Sequence, residues 1–89
     1  MNINVQFISQ LKTAAGIPSV TVDLADGSTM KDLARTVSAQ FGPPLKAMII
    51  GEDGNPRSGV LVFSGDDQVD WDAPANTDQV TFMSAIAGG

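Results

Sequence analysis

Two side chains that dominate enzyme chemistry are missing from this chain, which contains no cysteine and no histidine. Without cysteine there is no thiolate nucleophile and no disulfide. Without histidine there is no imidazole base poised near neutral pH, and the commonest zinc ligands are gone with both. Lack of cysteine fits either side of a membrane. Positive charge is scarce as well: Lys12, Lys31, Arg35, Lys46 and Arg57 stand against ten acidic residues, giving a net charge of −5. The five basic residues form no run. Nucleic acids and anionic membrane surfaces need a basic footprint that releases counterions, so neither is an expected partner. No stretch approaches the roughly 20 apolar residues that span a bilayer. The start, Met1-Asn2-Ile3-Asn4, lacks a basic lead, and Asn4 and Gln6 interrupt any apolar run, so no targeting segment is expected. These features together predict a cytoplasmic protein.

What remains is 89 residues, 43% of them hydrophobic and 17% charged. That suits one domain with a modest core, and the charge is too low for a disordered chain. Ile3, Val5 and Phe7 alternate with Asn4 and Gln6 and predict a half-buried strand. Alternation returns at Val20, Val22 and Leu24, so the two strands form a hairpin whose loop holds Leu11 to Pro18. Thr29 with Asp32 three residues later resembles a capping box. Met30, Leu33, Ala34, Val37 and Phe41 then recur at helical spacing, and Gly42 with Pro43-Pro44 ends that helix. Residues 45–50 form a short apolar run, either a minor strand or a turn of helix. Val60 to Phe63 and Val80 to Met83 read as strands, separated by an acidic stretch that carries the single Trp71. The first and last strands are expected to pair in parallel at the centre of the sheet, with the helix packed across one face.

Several other patterns have bland explanations. Asp66, Asp67, Asp70 and Asp72 lack the glycine and closing glutamate of a calcium loop and read as a solvated acidic segment. Gly51 and Gly54 mark a turn with no Lys-Ser/Thr to build a phosphate cradle. A domain this small offers little concavity for a hydrolase cleft, so an enzyme is not expected and no metal site is assigned. The sequence closes on Ala87-Gly88-Gly89. Glycine has no Cβ, so a backbone of this kind can thread a narrow channel and approach a reacting phosphate closely.

The ββαββ order with a terminal Gly-Gly resembles the ubiquitin-like β-grasp fold, and specifically the MoaD/ThiS sulfur-carrier family. Phe7 with Leu11-Lys12-Thr13-Ala14-Ala15-Gly16 resembles that family's first strand and the loop after it, and Thr29-Met30-Lys31-Asp32-Leu33 resembles its helix start. The segments from Asp53 to Val62 and from Asp78 to Gly89 resemble its later loop, strands and tail. Ser64-Gly65 stands where carriers often have Asn-Gly, and Ser84-Ala85 replaces the prolines common before the tail. The expected architecture is therefore α+β, a mixed sheet with one main helix on one face. It comprises a β-grasp domain over residues 1–83 and a flexible tail over residues 84–89.

The resemblance implies a carried co-substrate that binds no cofactor itself. A partner resembling the ubiquitin-activating enzymes, an adenylyltransferase using ATP and magnesium, would adenylate Gly89. A sulfur donor protein would convert it to a thiocarboxylate, and an acceptor synthase would take the sulfur into molybdopterin, thiazole or another thio-metabolite. Gly89 is the expected reacting residue, Gly88 the residue that permits close approach, and Ala87 part of the same tail. Val80 and Phe82 are expected to face the helix, leaving Thr81 and Met83 outward, and Leu61 and Phe63 are expected inward with Val62 outward. On that facing, Val62, Met83 and Ile86 form an exposed apolar patch that docks on the activating enzyme. Two other roles share this outline: a ubiquitin-like modifier joined through Gly89 to lysines, and a binding module with an incidental tail.

Overall fold

The computed structural model describes residues 1–84. The elements follow in the order β1 (Asn2–Phe7), α1 (Gln10–Ala15), β2 (Ser19–Asp23), α2 (Met30–Phe41), α3 (Pro43–Ile49), β3 (Val60–Ser64), β4 (Asp67–Val69) and β5 (Gln79–Ser84). The strands make one sheet in the order β2-β1-β5-β3-β4. β1 and β5 run parallel at its centre with Val5 opposite Val80 and Phe7 opposite Phe82, as expected, and the other pairs are antiparallel.

α2 forms where the spacing of apolar residues predicts it. Thr29 Oγ1 accepts from the Asp32 N–H at 3.3 Å and the Asp32 carboxylate accepts from the Thr29 N–H at 2.9 Å, a reciprocal capping box. The next two N–H groups, of Met30 and Lys31, donate to the carbonyls of Ala73 and Trp71. A helix start leaves such donors orphaned. Here the acidic segment after β4 satisfies them, which ties that segment to the helix. Met30, Leu33, Ala34 and Val37 are buried against Ile3, Val5, Val80 and Phe82 of the sheet in one core. Phe7 meets Phe41 and Phe82 edge-on, at 5.5 and 6.4 Å between ring centres, and Trp71 covers Phe82 at 5.5 Å.

The structure decides one element that the sequence left open and adds two that were not expected. The run from Leu45 to Ile49 is helical, with Leu45 and Ile49 buried one turn apart. Pro43 and Pro44 occupy the first turn of α3, where a missing N–H costs nothing. Gly42, at φ 82°, supplies the turn between α2 and α3, a backbone geometry reserved for glycine. Within the expected hairpin loop lies the short helix α1, anchored by buried Leu11. β4, three residues of the acidic stretch, adds an edge strand with Val69 opposite Val62.

Candidate functional site

Strand facing decides which side chains of β3 and β5 lie on the outer face of the sheet. On β5, Val80 and Phe82 are buried, and Thr81 and Met83 lie on the opposite face, half-buried, as expected. β3 departs from expectation: Val60 and Val62 are buried, at 4% and 1% exposure, while Leu61 and Phe63 are half-buried on the outer face. Val62 is thus a core residue and is removed from the docking patch. Register explains the correction. Val62 stands directly opposite Phe82, and directly paired residues project to the same face of a sheet, so the inward Phe82 carries Val62 inward with it. The same register places Leu61 opposite Met83 and Phe63 opposite Thr81 on the outer face.

The outer face therefore carries a strip of Leu61, Phe63 and Met83, bordered by Thr81 and, on β1, Gln6. Met83 is the residue of the expected patch that the structure places there. Leu61 and Phe63 are the members that sequence reasoning missed. The four positions from Val60 to Phe63 are all apolar, so no alternation within them shows a face. The one available signal was in β5, whose apolar alternation could be carried across once the pairing was known.

The strip leads to Ser84, the last described residue of β5. The last pair on one side is Val60 opposite Ser84. On the other side the Ile8 N–H donates to the Phe82 carbonyl at 3.2 Å, after which Ser9, at φ 56° and ψ −123°, turns the chain away into α1. That φ is unusual for a residue with a Cβ and marks local strain. Ser84 belongs to β5, although the sequence places it in the tail. Ile86, Ala87, Gly88 and Gly89 lie outside the described residues.

Several charged groups are engaged in contacts that hold the fold. The N-terminal ammonium donates to the Leu24 carbonyl at 2.6 Å and pairs with Asp23, at the opposite end of β1 from Ser9. Arg35 Nε donates to the Gly54 carbonyl and Arg57 Nε to the Ala47 carbonyl, which clips the loop before β3 to the helices. Two carboxylates sit below their ordinary range: Asp32 through the Thr29 N–H it accepts, and Asp53 through the Asn55 N–H. Both have structural roles. Among the described residues no group of three or more acidic side chains is arranged to hold a metal ion, and no helix is long and apolar enough to cross a membrane.

No protein-family model matches the sequence, and no match is found among curated proteins. Solved structures do match. SAMP1, the small archaeal modifier protein 1 of Haloferax volcanii, superposes with a TM-score of 0.88 over 100% of both chains at 20% identity. The solution structure of the Haloferax volcanii HVO 2177 protein gives 0.79 over 100% of this chain and 87% of that one, at 26% identity. A putative molybdopterin converting factor, subunit 1, from Pyrococcus furiosus gives 0.77 over 97% and 99%, at 18% identity. These likenesses, which extend over nearly the whole chain, show the fold to be the ubiquitin-like β-grasp.

Proposed function

We propose that this chain is a sulfur carrier whose Gly89 carboxylate is adenylated and then converted to a thiocarboxylate. The observation that carries this reading is the half-buried strip of Leu61, Phe63 and Met83, which runs along the outer sheet face to the end of β5. A partner that grips the strip holds the root of the tail at a fixed place. Five residues follow Ser84. Fully extended, they reach about 17 Å, far enough to enter a partner's catalytic cleft while the body stays docked outside. Gly88 and Gly89 offer that cleft a backbone with no side chains to obstruct it.

The chemistry needs the partner. A carboxylate resists attack because electrons must move onto an already anionic group. Transfer of AMP from ATP, with magnesium and pyrophosphate release, makes a mixed anhydride at Gly89. Sulfide then attacks the acyl carbon, the bond to the AMP oxygen breaks, and a thiocarboxylate remains. The body of the chain contributes recognition and delivery, and Leu61, Phe63 and Met83 are the proposed docking residues. Ile86 and Ala87 are proposed to line the partner's channel. The acceptor would be a synthase that takes sulfur from the thiocarboxylate.

The full-length likeness to SAMP1, whose name describes a modifier, favours a second reading in which Gly89 is joined to lysines of other proteins. The two readings part on the fate of the tail. The tagged chain is expressed in its host, and two fractions are compared: the free chain, and tagged conjugates recovered under denaturing conditions. Sulfur on the free chain, lost on deletion of Gly88 and Gly89, supports the carrier. Conjugates whose digests carry tail remnants on target lysines, with no sulfur on the free chain, support the modifier and overturn the carrier.

A further inference from the structure

The helical layer carries a groove that the reading above leaves unused. It lies where the end of α2, α3 and the loop before β3 meet, has a volume of about 740 Å³, and is lined by Ser38, Lys46, Ala47, Ile50, Glu52 and Arg57 among others. We propose that it binds an acidic peptide segment of a partner protein, with carboxylates held by Lys46 and Arg57.

Charge selects the occupant. Of the five basic side chains, most find no carboxylate among the described residues, Lys12 included, so it is the sharing of one groove that sets Lys46 and Arg57 apart. Lys31 does find one, at 3.3 Å from Asp72, and Arg35 is engaged by Gly54 and Asn55. Lys46 and Arg57 line one groove, and among the described residues neither lies within ion-pair distance of an acidic group. Arg57 Nε donates to the Ala47 carbonyl at 2.7 Å, which holds the guanidinium against α3 and leaves its remaining N–H donors for a ligand. Glu52 in the lining offsets one of the two charges and Asp53 lies near enough to feel the Arg57 charge, so Lys46 is the cation least offset in the groove.

A second observation points the same way. Ser38 is 1% exposed and lines this groove, and its Oγ has no hydrogen-bond partner among the described residues. Buried hydroxyls are normally paired, so this one is available to a polar group seated beside it. Shape favours a peptide over a small anion. At Ala47 and Arg57 the groove adjoins another of about 390 Å³ that reaches Ser84 at the end of β5. A single phosphate would fill only a fraction of such a trough, whereas an extended segment follows it and its apolar side chains meet the wall around Ala47 and Ile50.

The test is a nuclear magnetic resonance titration of the ¹⁵N-labelled full chain with an acetylated, amidated peptide of alternating glutamate and leucine. Shifts are expected at the amides of Ser38, Lys46 and Gly51, with affinity lower by about fivefold or more in Lys46→Gln/Arg57→Gln. Because Arg57 also clips the loop, Lys46→Gln alone is measured and should weaken binding about twofold. Ser38→Ala should weaken binding while leaving the thermal midpoint unchanged or higher, since alanine brings no hydroxyl to satisfy. Equal affinity for a glutamine-leucine peptide, equal affinity in the variants, or shifts confined to the sheet face would overturn the proposal. The same shifts produced by inorganic phosphate alone would assign a small-anion site and overturn it too. Thiocarboxylate formation enters none of these readouts, so failure here is distinct from failure of the carrier reading.

Discussion

Val62 and Leu61 are neighbours with opposite fates, and the difference is testable one residue at a time. Val62 is 1% exposed and paired with Phe82 and Val69, so truncating it leaves a void in the core. Val62→Ala should lower unfolding free energy by about 2 kcal/mol, read by denaturant titration, with partner docking retained under folding conditions. Leu61 is half-buried on the outer face opposite Met83. Leu61→Ala should cost clearly less stability and weaken docking. The reverse ranking would mean that β3 faces the way its sequence alone suggested. Four apolar residues in a row conceal the face of a strand, and cross-strand register, a non-local property, resolves it.

At the scale of elements, α2 was legible because its signals are local. Thr29 and Asp32 cap it, Met30, Leu33, Ala34, Val37 and Phe41 keep helical spacing, and Gly42 turns the chain beyond it. Thr29→Ala should destabilise the fold by about 1 kcal/mol through loss of the cap. The Asp32 carboxyl sits below its ordinary value of 3.8, chiefly because it accepts the Thr29 N–H. A carboxylate depressed in the folded state contributes stability that is complete above the unfolded value and fades as pH falls through the folded one. Stability should therefore decline as pH drops below about 3.8, and Asp32→Asn should remove part of that decline; an unchanged acid profile would contradict the capping role. Other elements were illegible for physical reasons. α1 has one buried residue, Leu11, and no capping side chain, so packing rather than propensity holds it. β4 is three residues beside aspartates, too short to alternate. The prolines of α3 read equally as the end of one helix and the first turn of the next, and buried Leu45 and Ile49 decide for the second.

For the whole molecule, the fold was readable from the order of strands and helix, and the parallel pairing of β1 with β5 follows the expectation. The candidate site was readable only in part. Met83 lies on the outer face, Val62 had to give way to Leu61 and Phe63, and the four residues from Ile86 to Gly89 fall outside the described region. Among the described residues the outer sheet face carries an apolar strip, the docking surface proposed above, with Ser84 of β5 beside it. Met83→Asp places a charge in that strip without touching the core, so it should leave the thermal midpoint nearly unchanged while activation of the tail falls by about tenfold or more. Loss of the fold would show that Met83 is buried in solution. The central claim is chemical, and it rests on Gly89. The most direct measurement is the intact mass of the chain after incubation with host lysate, ATP and a sulfur donor, with fragmentation to localise any change. The account predicts replacement of one oxygen by sulfur at Gly89, dependent on ATP and strongly reduced in Met83→Asp. An unmodified terminus in the presence of active lysate and ATP, or sulfur located anywhere else in the chain, would contradict it.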